Sequence, residues 1–420
     1  MVKQIHKRFT DDQVKLLLDL YLNKAITLKE VCQQLGCRRS RFFQILKKYR
    51  NGPEAFTIAY ARHVPHHHLP KEIDVAIREE LKKEYDLIRD PKIPVNEYNY
   101  AYTRDEVVRR IGQKVSAQTV RNRAKKWGYY CPRMKKEKSP PREVVTNAVG
   151  MLLQHDSSTH QWSPYADKPW TLITTLEDHS RYLLYADFVE REATWAHIQA
   201  TQSVILKYGA GLLYYVDSHS IFRYVCHQNS IWRNQRLGTD EALTQWRIVL
   251  KKCKMQVTYA LSANAKGKVE RPYRWLQDRI VRNCARERVI DIEQARAILQ
   301  REQQRYNEHQ VHSTTGEIPT IRFEKAVREG RNCFKPFQLL PPYTSVKDIF
   351  CLHEYRKVDG YNRIMWESQK IEVPLPLPQG TVIELHILPY SERIEVRLWY
   401  QDRVRKIIYY KRRQTDDSRV

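Results

Sequence analysis

Three carboxylates stand where a divalent metal could be held. Asp156 closes the apolar run Met151-Leu-Leu-Gln-His, and Asp217 closes Leu212-Leu-Tyr-Tyr-Val. Glu270 lies in Ser262-Ala-Asn-Ala-Lys-Gly-Lys-Val-Glu-Arg, one turn into a strongly helical segment that opens after a glycine. Short apolar runs bounded by polar residues read as buried strands, so the first two acids project from strand ends. Such acids in a very basic chain suit metal held against a phosphodiester. Carboxylate oxygens favour hard ions, Mg²⁺ or Mn²⁺, and two such ions can serve both the attacking and the leaving oxygen of an in-line displacement. There is no Walker-type phosphate loop, because Gly267-Lys268 lacks the upstream glycine.

The elements that would position these acids begin at Ala148. Met151–His155, Trp170–Leu176 and Tyr182–Phe188 read as a β-meander. Ala193–Tyr208 follows as a helix, Leu212–Val216 as a strand, Asp240–Lys252 as a helix and Gln256–Ala260 as a strand, and Lys266 opens a long helix. In that helix Val269, Tyr273, Leu276 and Ile280 form one apolar stripe, with Glu270 one step round from it. Lys266 and Arg274 lie one turn either side of Glu270, and Lys268 stands close by. Cations beside a metal-binding acid make sense where a phosphate must approach.

Bulk composition agrees. The 420 residues carry a formal charge of +25, which points to a polyanion, nucleic acid before membrane. No apolar run approaches the roughly 20 residues needed to span a bilayer. Eight scattered cysteines without a Cys-x-x-Cys pair read as reduced thiols of a cytoplasmic protein. Charge concentrates at the front: through Glu143 there are 32 Lys/Arg against 17 Asp/Glu.

Capping-box patterns open helices at Thr10, Thr27 and Thr103. The second stops at Leu35-Gly36, and a further helix runs from Arg38 to Arg50 with Phe42, Ile45, Leu46 and Tyr49 inward. Arg38, Arg39, Arg41, Gln44 and Lys48 stay outside, the pattern of a helix-turn-helix whose last helix enters the major groove. The pattern recurs from Thr103 to Trp127, with Gln118, Arg121, Asn122 and Lys125 on the outer face. His63, His66, His67 and His68 with Cys131 do not have zinc-site spacing.

Two segments resemble the DDE transposases of the integrase superfamily, those of bacterial insertion sequences most closely. Glu177-Asp-His-Ser-Arg is similar to the family's Asp-Asp-His-Ser-Arg hairpin, and Lys266-Gly-Lys-Val-Glu-Arg to its Lys-Gly-x-Val-Glu-Arg helix start. The resemblance implies a ribonuclease-H-like core with Asp156, Asp217 and Glu270 as catalytic metal ligands. It implies double-stranded DNA as partner, at the element's terminal inverted repeats and at a target. It also implies a homo-oligomer, at least a dimer on DNA, because joining two ends needs two active sites. Two features depart from the family: Ser-His-Ser follows Asp217, and 52 residues separate Asp217 from Glu270, more than in retroviral integrases. Asp240 and Glu241 are rival third acids, but lack the Lys-Gly-x-Val-Glu context.

The expected architecture is multidomain. Helix-turn-helix domains occupy 1–55 and, after a linker, 56–135; an α/β ribonuclease-H-like core spans 145–330, and a small β-barrel 343–413. The barrel is expected from strands at Lys370–Val373, Thr381–Leu388, Arg393–Tyr400 and Arg403–Tyr410, with Arg403, Arg405, Lys411, Arg412 and Arg413 facing DNA. Linkers fall near Pro132–Pro141 and Pro336–Pro342. A non-catalytic helix-turn-helix regulator and a structure-selective nuclease are the alternative functions.

Overall fold

The computed structural model describes residues 4–59, 69–132, 146–217, 221–222, 244–260 and 267–411, the side chains of 267–271 excepted. Lys266, Asp240, Glu241, His63, His66, His67, His68, Arg412 and Arg413 lie outside the described residues, as do the side chains of Lys268 and Glu270. The chain divides into two compact units, Met1–Lys71 and Glu72–Val420.

The first unit holds α1 (Asp11–Leu22), α2 (Leu28–Leu35) and α3 (Arg39–Asn51). Thr10 with Gln13 and Thr27 with Glu30 form reciprocal capping boxes that start α1 and α2. Gly36, at φ 61°, ends α2 in the left-handed conformation that turns the chain into α3. Val14, Leu18, Val31, Leu35, Phe42, Ile45 and Leu46 interlock as the core, and the Tyr49 hydroxyl donates to Asp19 at 2.8 Å.

The second unit opens with α4 (Lys71–Arg89), α5 (Tyr100–Ile111) and α6 (Ala117–Lys126). α5 starts one turn earlier than its sequence suggests. Asn99 accepts from the Tyr102 amide and caps it, while the Thr103 hydroxyl bonds back to the Asn99 carbonyl. Thr103 is therefore inside the helix, which leaves Glu106 free to pair with Arg109 and Arg286.

These helices rest on α9 (Gly267–Glu287) through buried ion pairs. Arg279 meets Asp105 and Glu302, Arg282 meets Glu84 and Asp278, and Arg286 meets Glu80 and Glu106. The Tyr102 ring lies 5.6–5.8 Å from all three guanidinium carbons, and its hydroxyl donates to Asn283 at 2.7 Å. Burial pushes the Tyr102 hydroxyl up and raises the Glu84 carboxyl, with the Arg282 guanidinium pulling Glu84 the other way.

The central sheet comprises β1 (Leu152–His160), β2 (Trp170–Glu177), β3 (Leu183–Val189), β4 (Leu213–Val216) and β5 (Gln256–Tyr259), in the order β3-β2-β1-β4-β5. β1–β3 are an antiparallel meander, and β4 and β5 add in parallel. Between strands run α7 (Thr194–Tyr208) and α8 (Gln245–Lys252); α10 (Ile292–Glu308) and α11 (Pro319–Arg328) follow α9. α7 and α8 cover one face, where Leu153, Tyr214 and Val216 pack with Trp195, Ile198 and Trp246. α9 and α10 cover the other, where Leu172 and Leu176 meet Leu276, Ile280 and Ile298.

The C-terminal part is not a barrel. β6 (Leu352–Lys357), β9 (Val382–Pro389), β10 (Arg393–Tyr400) and β11 (Arg403–Lys411) make an open sheet ordered β11-β10-β9-β6, whose two edge strands do not meet. β7 (Arg363–Trp366) and β8 (Gln369–Glu372) form a separate hairpin. Its Ile364, Trp366 and Ile371 bury against Ile383, Leu385, Val396 and Leu398. An apolar sheet face can be removed from water by a second layer as well as by closure, and here the hairpin is that layer. The approach to this sheet is pinned too: Lys335 and Ala210 exchange backbone hydrogen bonds at 2.8 and 2.9 Å. Gly209, at φ 102°, permits this approach, since a Cβ there would come within 2.5 Å of the Lys335 carbonyl oxygen.

Removing one partner of a buried ion pair strands the other charge. Arg282→Ala should therefore destabilise the protein by about 3–5 kcal/mol in urea denaturation, while the exposed Arg301→Ala should change it by less than about 1 kcal/mol. Equal effects would show that the α9 arginines are not structural.

Candidate active site

Register brings the first two acids to the ends of paired segments of neighbouring strands. β1 and β4 pair in parallel as Leu152↔Leu213, Leu153↔Tyr214 and Gln154↔Tyr215. Asp156 and Asp217 keep the same offset, two residues further on. Asp156 does not end its strand as expected. β1 runs on to His160, because residues 157–160 continue to pair with β2 after β4 has stopped. Both carboxylates are partly exposed, so a ligand can reach them.

Alternation decides which face they occupy. Leu153 and Val216 belong to the α7–α8 side, which sends Asp156 and Asp217 to the side covered by α9. Asp156 pairs with Thr174 of β2, and the Thr174 hydroxyl donates to the Tyr273 oxygen of α9 at 2.8 Å. Burial pushes the Tyr273 hydroxyl well above its ordinary range, and the carboxylates of Asp156, Glu192 and Asp217 push it the same way. Tyr273 thus reports α9 within electrostatic reach of both aspartates. Glu270 precedes Tyr273 by three residues in the same helix, close to one turn.

The hairpin after β2 fixes β1 against it. Glu177 accepts from the His179 and Ser180 amides at 3.1 and 2.7 Å. Asp178 is buried and accepts from Thr146, Gln154 and Arg181, so its carboxylate is structural. Glu192 is a neighbour the sequence did not mark. It accepts from Ser157 at 2.6 Å and meets His197 at 3.0 Å, and His197 meets the buried His155 at 2.8 Å. Nothing in Glu190-Arg-Glu192 distinguishes its two acids beforehand.

The helical faces are as basic as their sequence suggests. Arg38, Arg39, Arg41, Gln44 and Lys48 are exposed on or beside α3, and Arg41 donates to Gln44 at 3.1 Å. Gln118, Arg121, Asn122 and Lys125 are exposed on α6, where Arg121 and Lys125 both lie over the Tyr130 ring. Arg274 is exposed on α9. Among the described residues no helix is long and apolar enough to cross a membrane.

No protein-family profile matches the chain. It is 26% identical over 292 residues, 68% of its length, to a putative transposase, y4bF, of Sinorhizobium fredii. It is 24% identical over 172 residues, 41% of its length, to the transposase for insertion sequence IS1202 of Streptococcus pneumoniae. The matches span 58% and 35% of those relatives' lengths. Among solved structures, the magnesium complex of the HTLV-2 integrase catalytic core covers 43% of this chain at 13% identity and TM-score 0.31, and 99% of that chain is matched. A simian T-cell lymphotropic virus intasome in complex with a PP2A regulatory subunit covers 73% at 10% identity and TM-score 0.35, with 92% of that chain matched. Structural likenesses this slight establish no shared chemistry. What the chain is similar to in sequence is thus two proteins named as transposases, each matched over part of its length.

The Thr174–Tyr273 bond should behave as a coupled pair. Thr174→Val and Tyr273→Phe should each cost about 1 kcal/mol in denaturation, and the double variant clearly less than their sum. Full additivity would mean that the bond does not hold α9 to β2.

Proposed function

We propose that the protein is a DDE transposase that binds the terminal inverted repeats of a mobile element, cleaves at its ends and joins the 3′-hydroxyls to target DNA. What supports this reading is the parallel pairing of β1 with β4, whose last pair, Gln154 with Tyr215, lies two residues before Asp156 and Asp217, in the sheet covered by the helix that bears Glu270. Two carboxylates held side by side repel each other, and a divalent cation between them removes that repulsion. An oxygen-only donor set at a partly exposed site fits Mg²⁺ or Mn²⁺. When bound, two such ions would activate the attacking hydroxyl and stabilise the leaving oxygen. In this reading Asp156 and Asp217 would hold the metal from adjacent strands, and Glu270 from α9. Lys266, Lys268 and Arg274 steer the phosphodiester, while Tyr273 and Thr174 hold the helix at its working height.

Recognition belongs to the basic helix faces. Arg38, Arg39, Arg41, Gln44 and Lys48 read or grip one stretch of duplex, and Gln118, Arg121, Asn122 and Lys125 another. Two ends joined to one target require at least a dimer on DNA. The similarity to proteins named as transposases supports the same class.

Incubating the protein with Mg²⁺, labelled element ends and a plasmid tests the proposal. Joined products should form, and Asp156→Asn, Asp217→Asn or Glu270→Gln should abolish cleavage and joining while end binding persists. Cleavage without joining would favour a nuclease. Binding with no Mg²⁺-dependent chemistry would favour a regulator.

A further inference from the structure

A second group of metal-binding side chains lies in the C-terminal sheet, away from the acids. β6 and β9 pair with His353 directly opposite His386. Cys351 precedes His353 by two residues, and Glu384 precedes His386 by two, so strand alternation brings all four to one face. Cys351, His353 and His386 are 0%, 2% and 0% exposed. One donor atom from each of these three lies within 4.8 Å of the others. Cys351 Sγ stands 3.5 Å from His353 Nε2. The edge between sulfur and nitrogen ligands of a tetrahedral zinc ion is about 3.5 Å, given its bond lengths.

The surroundings are those of a metal site rather than of an apolar core. Glu384 Oε1 lies 2.8 Å from His353 Nδ1, and Asp348 Oδ1 lies 3.4 Å from His386 Nδ1. The Asp348 carboxylate on Nδ1 of His386 fixes that ring's tautomer and leaves its Nε2 for an ion. Glu384 Oε1 is also 3.3 Å from His386 Nε2, which puts a fourth donor within reach. Lys252 of α8 is the competing cation, 3.7 Å from Glu384 Oε1 and 3.5 Å from His353 Nδ1. The Asp348 carbonyl, 3.3 Å from its ammonium, gives Lys252 another partner when an ion takes the carboxylate.

We propose that Cys351, His353 and His386, with Glu384 as fourth donor, bind one structural zinc ion. Thiolate and imidazole select zinc over the hard ions suited to Asp156 and Asp217. Binding releases the Cys351 thiol proton to solvent. The ion fastens β6 to β9 next to α8, whose Gln245 side chain already exchanges two 2.7 Å hydrogen bonds with the His353 backbone. The proposal does not depend on the transposase reading.

The test is the metal content of the full-length chain. Chelator-treated protein is dialysed against zinc chloride or magnesium chloride, desalted, and analysed by plasma emission. One zinc per chain should remain after zinc and no magnesium after magnesium. Asp156→Asn should still hold zinc, whereas Cys351→Ser combined with His386→Asn should not. Cobalt(II) loading of the unaltered chain should give a thiolate charge-transfer absorption, which settles the matter even if the double variant fails to fold. Folded wild-type chain that retains no zinc and gives no cobalt–thiolate band would overturn the proposal. So would zinc retention unchanged by the double substitution.

Discussion

A guanidinium withdrawn from water must be met by acids, and α9 carries three of them within two turns, at Arg279, Arg282 and Arg286. Their partners come from α4, α5 and α10 as well as from α9 itself. Breaking such a pair costs far more than forming it gains, so its value lies in geometry: only one placement of the helix satisfies every charge. The sheet side of α9 is held differently, by Leu276 and Ile280 in the apolar core and by Tyr273 against Thr174. Clamped on both sides, α9 can neither slide nor rotate without stranding a charge or opening the core. The backbone of Glu270 inherits that constraint, and so does any chemistry that needs a third acid beside Asp156 and Asp217.

Much of the core was legible because its signals are local. Apolar runs marked all five strands of the central sheet to within a few residues, and capping boxes marked α1 and α2. The extension of β1 beyond Asp156 was not legible, since Ser157, Ser158, Thr159 and His160 are polar and owe their strand to pairing with β2. α4 was read as linker for a related reason. Its buried face includes Glu80 and Glu84, whose partners Arg286 and Arg282 lie about 200 residues away. Glutamates at inward positions look like a solvated helix until those arginines are in place. The barrel expectation failed because strand patterns reveal which residues alternate, not whether the outer strands meet.

The acids of the candidate site and the basic faces on α3 and α6 were visible in the sequence as residue types. The family resemblance already led to the expectation that Asp156 and Asp217 would be neighbours in the sheet; what no local pattern carries is the parallel register itself, a pairing between segments 61 residues apart. Glu192 and the Cys351, His353, His386 group went unmarked for the same cause. Each is assembled across strands or loops, and Cys-x-His at 351–353 with Glu-x-His at 384–386 gains meaning only once β6 and β9 are neighbours.

The central claim is that α9 presents Glu270 to the two aspartates to complete a divalent-metal site. Anomalous diffraction from crystals soaked in Mn²⁺ addresses it most directly. The account predicts manganese peaks between the Asp156 and Asp217 carboxylates, with the Glu270 carboxylate within coordination distance. Manganese bound elsewhere with those three acids vacant, or bound by the aspartates while Glu270 points to solvent, would contradict it.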